Sequence, residues 1–215
     1  MNIPSLLGDG KGNYRVHVVG NSGAPVICSW PHCSLIHGYL AGVGKSTVSA
    51  YIATKLNIPH ISVDALFWRP GWATSSDDEF KERISAAMSQ NSQGWVIDGN
   101  GGRSNALISD HATDVIWLDP PLWLYLPRMI WRTLLRLLNI IPTCAEGCRE
   151  TWGEALSTKG IIWYCITHHG YCRHKFGEML VRSSIAKGGN MRRLNEWDGD
   201  LTMWKAGLEE MLRTH

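Results

Sequence analysis

The chain's densest piece of chemistry is the run Gly44, Lys45, Ser46 and Thr47. Glycine, lysine and a hydroxyl residue, in that order at the head of a helix, suit the binding of polyphosphate. Backbone N–H groups hold phosphate oxygens, the ammonium reaches the outer phosphates, and the hydroxyl binds a divalent cation. A loop of this kind needs a second glycine five positions before Gly44, but Tyr39 stands there and Gly38 comes one residue too early. The missing half lies upstream, as Gly20, Asn21, Ser22 and Gly23, directly after a β-branched run. With the nineteen residues from Ala24 to Gly42 removed, the chain reads Gly20, Asn21, Ser22, Gly23, Val43, Gly44, Lys45, Ser46. That is an intact phosphate-binding loop, or P-loop.

The inserted stretch holds no Asp, Glu, Lys or Arg and carries Pro25, Trp30, Pro31 and Tyr39, a composition foreign to its surroundings. Three readings stand side by side. The stretch is an unspliced intron or gene-model error that preserves the frame, a genuine insertion that disables or regulates the loop, or a small metal knuckle built from Cys28, His32, Cys33 and His37.

Two carboxylates extend the pattern. Asp64 follows a short β-branched segment and is suited to orient an acceptor hydroxyl or a metal-bound water, or else to cap a helix. Asp98 follows Trp95, Val96 and Ile97, the place where a P-loop protein keeps the carboxylate for magnesium. With Ser46 it makes the expected metal site; a turn-forming Asp-Gly pair is the plainer reading. Arg103, five residues on, offers a planar fork for a phosphate or carboxylate of the acceptor. Trp68 and Trp72 lie near Asp64 in sequence and could stack on a planar acceptor.

These groups need a frame that brings loop ends together. Strands are expected at Tyr14 to Gly20, His60 to Val63, Trp95 to Ile97, Val115 to Leu118 and Met191 to Leu194. Helices are expected at Ser46 to Leu56, Asp77 to Gln90, Trp123 to Asn139 and Leu201 to Arg213. Strands alternating with helices predict an α/β fold: a parallel sheet with helices on both faces and ligands beyond the carboxyl ends of the strands. Arg128, Arg132 and Arg136 recur every fourth residue, so on a helix they form one stripe about 40° apart per step. That stripe is either a solvated face or a clamp for phosphate. It also breaks the apolar segment Leu122 to Ile141, which is therefore not expected to span a membrane.

Composition narrows the partners. A chain of 215 residues suits one domain, and a net charge of +2 lacks the basic excess of a dedicated nucleic-acid binder. The start has no signal-peptide pattern, so a cytoplasmic setting is expected, with Cys28, Cys33, Cys144, Cys148, Cys165 and Cys172 as free thiols. The expected partner is a small molecule, with neither membrane nor nucleic acid involved.

The segments Val63 to Trp72, Trp95 to Asn100 with Arg103, Val115 to Asp119 and Cys148 to Trp152 resemble FlaR-like DNA topology modulation proteins, which are adenylate-kinase-like P-loop proteins. The resemblance runs from about Tyr14 to about Leu212 without the insert, and departs at Gly101 and Gly102, where the family commonly has Tyr-Ser. It implies a P-loop NTPase fold with a helical lid at Asn139 to Glu150, ATP and Mg2+ as cofactors, and transfer of phosphate to a nucleotide or other small acceptor. In comparison with nucleoside monophosphate kinases, Asp98, Gly99 and Arg103 match the segment that organises magnesium and acceptor. Arg128 and Arg132 precede the lid as phosphoryl-neutralising arginines, and Arg149 is a candidate that arrives on closure. Cys144 and Cys148 with Cys172 or His174 leave a lid zinc site open. The expected site is thus Lys45, Asp64, Asp98, Arg128 and Arg132 for chemistry. Gly20, Asn21, Ser22, Gly23, Gly44, Lys45, Ser46 and Thr47 hold ATP, and Asp64, Trp68, Arg103 and Arg149 hold the acceptor. A non-catalytic nucleotide-binding regulator, or a pseudo-kinase disabled by the divided loop, stands as the alternative.

Overall fold

The structure is a computed structural model that describes residues 4–21, 44–91, 93–100, 102–142, 147–148, 150–155, 157–158, 160–195 and 199–214. The inserted stretch, Ser22, Gly23, Val43, Cys144 and Arg149 all lie outside the described residues, as does the side chain of Arg103.

Among the described residues, five strands form one parallel sheet: β1 (Tyr14–Gly20), β2 (His60–Ser62), β5 (Gly94–Asp98), β6 (Asp114–Leu118) and β7 (Met191–Leu194), in the order β2-β5-β1-β6-β7. A short antiparallel hairpin, β3 (Trp68–Arg69) and β4 (Ala73–Thr74), lies outside it. The β-branched runs are buried on both faces, so their alternation sorts residues between two cores instead of between core and water. Val16 and Val18 of β1 join the core made with α1 (Lys45–Leu56), α5 (Leu122–Leu137) and α8 (Asp200–Arg213). Val19, with Trp95 and Ile97 of β5, joins the opposite core, made with α3 (Asp77–Ser89) and α4 (Asn105–His111). The long α7 (Ile161–Ser183) serves both, through Cys165 on one side and Cys172 and Phe176 on the other. This is the three-layer α/β arrangement expected of a P-loop domain.

Every strand expected from the sequence is present within one residue at each end. The helices α1, α3, α5 and α8 lie where they were expected, with α3 capped by Ser76, whose side chain accepts from the Glu79 N–H. The features not anticipated are α7, α4, the hairpin and two short helices, α2 (Val63–Phe67) and α6 (Trp152–Ala155). Through α7, Thr167, Gly170 and Gly177 and a scatter of His and Cys blur any helical stripe, and packing against two cores overrides that weak propensity. Among the described residues no helix is long and apolar enough to cross a membrane.

Register sets the site. Ser62 at the end of β2 pairs with Asp98 at the end of β5, and Asp98 in turn pairs with Val18, two residues before β1 ends. The carboxyl ends of three adjacent strands therefore open onto one spot. At the other end of β5, Gly94 has φ +125°, and a Cβ there would sit 2.1 Å from the Tyr14 carbonyl oxygen of its partner strand. Neither the dihedral nor the space admits a side chain. Replacing Gly94 with alanine is expected to cost about 3 kcal/mol or more of folding stability, read as a lowered urea midpoint at unchanged slope.

Candidate active site

The helix α1 begins at Lys45, after Gly44 in the left-handed region, with no acidic residue in its first turn to compete for an anion. Lys45 is only 6% exposed and its ammonium donates to the Asn21 carbonyl at 2.8 Å. This bond brings the end of β1 against the head of α1, so the two halves of the divided loop meet although twenty-two residues separate Asn21 from Gly44 in the sequence. The next residue, Ser46, donates its hydroxyl to Asp98 Oδ2 at 2.5 Å. Asp98 is fully buried, and its Oδ1 faces His60 Nε2 at 3.3 Å.

Asp64 lies in the first turn of α2 (Val63–Phe67), which starts immediately after β2. Both the catalytic and the helix-terminal readings of this residue are thus compatible with its place, although the N-cap itself is Ser62. Burial pushes the Asp64 carboxyl up to about 6, against the pull of Lys45 and in concert with the like charge of Asp98. Burial pushes the Lys45 ammonium down, opposed by Asp64 and Asp98. Gly99 makes the approach of these elements possible: at φ +122°, a Cβ there would stand 2.8 Å from Val63 Cβ, beside Asp64.

The arginine stripe is not a solvated face. Arg132 and Arg136 on α5 are 2% and 3% exposed, and both act on Asp64. Arg132 also acts on Lys45, while Arg136 donates to Glu150 Oε1 at 2.8 Å. Arg128 is half-buried one turn earlier. The residues gathered at the strand ends are therefore Lys45, Ser46, Asp64, Asp98, Arg132 and Arg136. Arg136 enters this set, and Glu150 joins it through Arg136, without having been singled out for it; the four-residue spacing of the stripe was the available signal for Arg136.

Beside Asp64 opens a cavity of about 940 Å³. Its walls are aromatic: Phe67, Trp68, Trp72, Phe80 and Tyr164 all line it. Trp68 and Trp72 pack edge to face, ring centroids 5.3 Å apart, and close over the buried Cys148. Cys148 donates its thiol to the Arg69 carbonyl at 3.1 Å, and Gly71 N–H donates to the Gly147 carbonyl at 3.0 Å. The described end of the segment expected to be a lid thus rests on the β3–β4 hairpin. Among the described residues no group of three or more His, Cys, Asp and Glu is placed to hold a metal ion.

Behind the loop, Asn21 is tied down by residues the sequence did not mark. Its side-chain amide donates to the Tyr125 hydroxyl, which in turn bonds His169 Nδ1 at 2.9 Å. On the other flank Asn100 clasps Gly20, accepting from its N–H at 3.2 Å and donating to its carbonyl at 2.6 Å. Chain order hides such partners, which lie 44 to 104 positions apart.

The oxygen pair Ser46 and Asp98 suits a hard divalent cation, since one Asp98 oxygen meets the hydroxyl while the other is buried with no hydrogen bond, its near neighbour being His60 Nε2 at 3.3 Å. Lys45 at the head of α1 suits the outer phosphates of a nucleotide.

Neither a protein-family model nor a curated protein matches the sequence. Among solved structures, the fold is similar to a gluconokinase from Sinorhizobium meliloti 1021, with 14% identity over 94% of this chain and 95% of that one, at a TM-score of 0.47. It is similar to a shikimate kinase from Acinetobacter baumannii in complex with shikimate, with 14% identity over 94% of both chains and a TM-score of 0.49. It is also similar to a shikimate kinase from Bacteroides thetaiotaomicron, with 15% identity over 93% of this chain and 98% of that one, at 0.43. At this distance the acceptors and activities of those proteins do not carry over to this chain.

The raised Asp64 carboxyl has a thermodynamic consequence. A group that holds its proton more tightly when folded contributes stability that is complete below its ordinary value near 3.8 and is lost as pH rises through about 6. Replacing Asp64 by asparagine removes the charge that burial disfavours. The variant is expected to be more stable than the parent by about 2 to 3 kcal/mol at pH 8, with no gain at pH 4, by urea denaturation at the two pH values.

Proposed function

We propose that this protein is an ATP-dependent kinase of the P-loop class that transfers phosphate, with magnesium, to a hydroxyl of a small acceptor seated in the cavity beside Asp64. The observation that carries this reading is the junction itself: Lys45, Ser46 and Asp98 meet at the ends of β1, α1 and β5, and Asp64 stands between them and the cavity. The motif resemblance to FlaR-like, adenylate-kinase-like proteins supports the P-loop kinase part of this reading, while the hydroxyl acceptor rests on the position of Asp64 alone.

In this mechanism Lys45 binds the outer phosphates, and Ser46 and Asp98 hold magnesium, which when bound neutralises phosphate charge. Asp64 accepts the proton of the acceptor hydroxyl as its oxygen bonds to the γ-phosphorus and the bond from that phosphorus to the bridging oxygen breaks, releasing ADP. Arg132, and beyond it Arg136, face the charge that develops on the transferring group. Arg103 and Arg149 are proposed to complete the acceptor side. A carboxylate poised at about 6 is well matched to receive a proton near neutral pH. Its position favours a hydroxyl over a phosphate as the group attacking: a phosphate acceptor is already anionic, needs no base, and would be repelled by Asp64.

A second reading, a nucleotide-binding regulator without turnover, has one observation in its favour. Lys45 is turned to the Asn21 carbonyl, so nucleotide phosphates would have to draw it away from that bond.

The test compares ADP formation from ATP and magnesium by the full chain and by a form lacking Ala24 to Gly42, across hydroxy acids, polyols, amino alcohols and nucleoside monophosphates. Acceptor-dependent turnover is expected in the shortened form, with the full chain slower. Replacing Lys45 by methionine is expected to lower kcat/KM by about 100-fold or more, and the rate of the parent is expected to rise with pH through about 6. ATP binding without turnover in both forms would instead support the regulator, and no ATP binding in either would point to a protein that acts through interactions alone.

A further inference from the structure

Lys45 depends on a carbonyl that the loop's covalent geometry does not fix. Its ammonium donates to Asn21, but twenty-two residues separate Asn21 from Gly44, and a connection of that length restrains its ends weakly. One side of Asn21 is set by β1, whose last residue, Gly20, pairs with Leu118 and is clasped by Asn100. Further restraint comes through the Asn21 side chain itself.

That side chain, on a residue only 5% exposed, enters a chain of hydrogen bonds with a single consistent direction. Its amide nitrogen faces the Cys165 carbonyl at 3.3 Å, which can only accept, so the NH2 end points there. The same nitrogen donates to the Tyr125 hydroxyl oxygen. The Tyr125 O–H is then left to donate to His169 Nδ1 at 2.9 Å, which makes that nitrogen the ring's acceptor. The amide nitrogen lies 3.5 Å from Nδ1, too far to take the hydroxyl's place. An imidazole nitrogen accepts there only while the ring is neutral. Burial and the neighbouring Arg173 hold His169 below its ordinary value, against the pull of Asp119.

The partners come from two helices that also serve the core: Tyr125, wholly buried, from α5, and Cys165 and His169 from α7. Removing the Tyr125 hydroxyl deprives the buried amide and the ring nitrogen of this bond at once, a cost that Asn21 can relieve by moving. Its carbonyl, and the ammonium that donates to it, would move with it.

We propose that Tyr125 and His169 are positioning residues of the phosphate loop. They hold Asn21 so that its carbonyl keeps the Lys45 ammonium at the head of α1, and neither touches nucleotide or acceptor. An ammonium already in place binds phosphate without first having to be ordered. The placing of Lys45 stands apart from turnover; only the expected ligand, MgATP, rests on the kinase reading.

The Lys45 ammonium is its own reporter. Its hydrogen exchange is read in the full chain by heteronuclear NMR, the signal being assigned by its loss in Lys45→Met. Tyr125→Phe and His169→Leu are each expected to speed this exchange, and to weaken MgATP binding measured by calorimetry, by about fivefold or more. His169→Asn, whose side-chain oxygen can stand where Nδ1 accepts, is expected to restore both to within about twofold of the parent. Leu208→Val, buried in the same core on α8, controls for lost stability and is expected to lower the urea midpoint without moving Lys45 exchange. Unchanged exchange in Tyr125→Phe, equal effects of the Asn and Leu variants at position 169, or the same quickening in Leu208→Val overturns the assignment. Faster exchange with unchanged MgATP affinity overturns its link to phosphate binding. A parent that binds no MgATP sinks the kinase reading, and the exchange measurement then decides the positioning role by itself.

Discussion

The burial of Lys45 is the constraint from which the rest of the site follows. An ammonium taken out of water is costly unless fixed partners surround it. Here the carbonyl of Asn21 accepts from it directly, and the carboxylates of Asp64 and Asp98 supply opposing charge. Those partners come from β1, α2 and β5, so one side chain obliges three segments to converge. The same economy of charge runs outward through Arg132 and Arg136 to Glu150. A buried network of this kind contributes little net stability, but it penalises any arrangement that leaves a member alone.

The sheet makes the convergence geometrically possible. Parallel strands in register deliver Asp98 and the end of β2 to the same level, and Gly99 lets the backbone after β5 pass against Val63 without a side chain between them. The cavity beside Asp64 is built differently. Its wall comes from a short helix, a small hairpin and the described end of the 147–150 stretch, held together by Trp68, Trp72 and Cys148. Phe67 ties this corner to the second core, its ring 5.1 Å from those of both Trp68 and Phe80.

The divided loop belongs in the same physical picture. An insertion between β1 and α1 lengthens the connection without moving its ends, because the ends are pinned independently: Asn100 holds Gly20, Tyr125 receives Asn21, and Lys45 closes the gap. Loop-closure entropy grows only slowly with length, so nineteen added residues are a modest burden on folding. Their burden on phosphate binding is another matter, since that depends on the N–H groups of the loop itself.

Alone, the sequence determined the order of strands and helices, the identity of the two half-loops and the roles available to Lys45, Ser46, Asp64 and Asp98, because periodicity and motif spacing are local properties written along the chain. It left the arginine stripe undecided between water and phosphate, and it was silent on α7, on Asn100, Tyr125 and His169 around the loop, and on Glu150. Those were decided only by the tertiary structure. Whether Arg132 is solvated or buried depends on what packs across α5, and what the Asn21 side chain meets depends on neighbours many positions away. Charge compensation and cavity shape are properties of surfaces brought together, and no spacing within one segment encodes them.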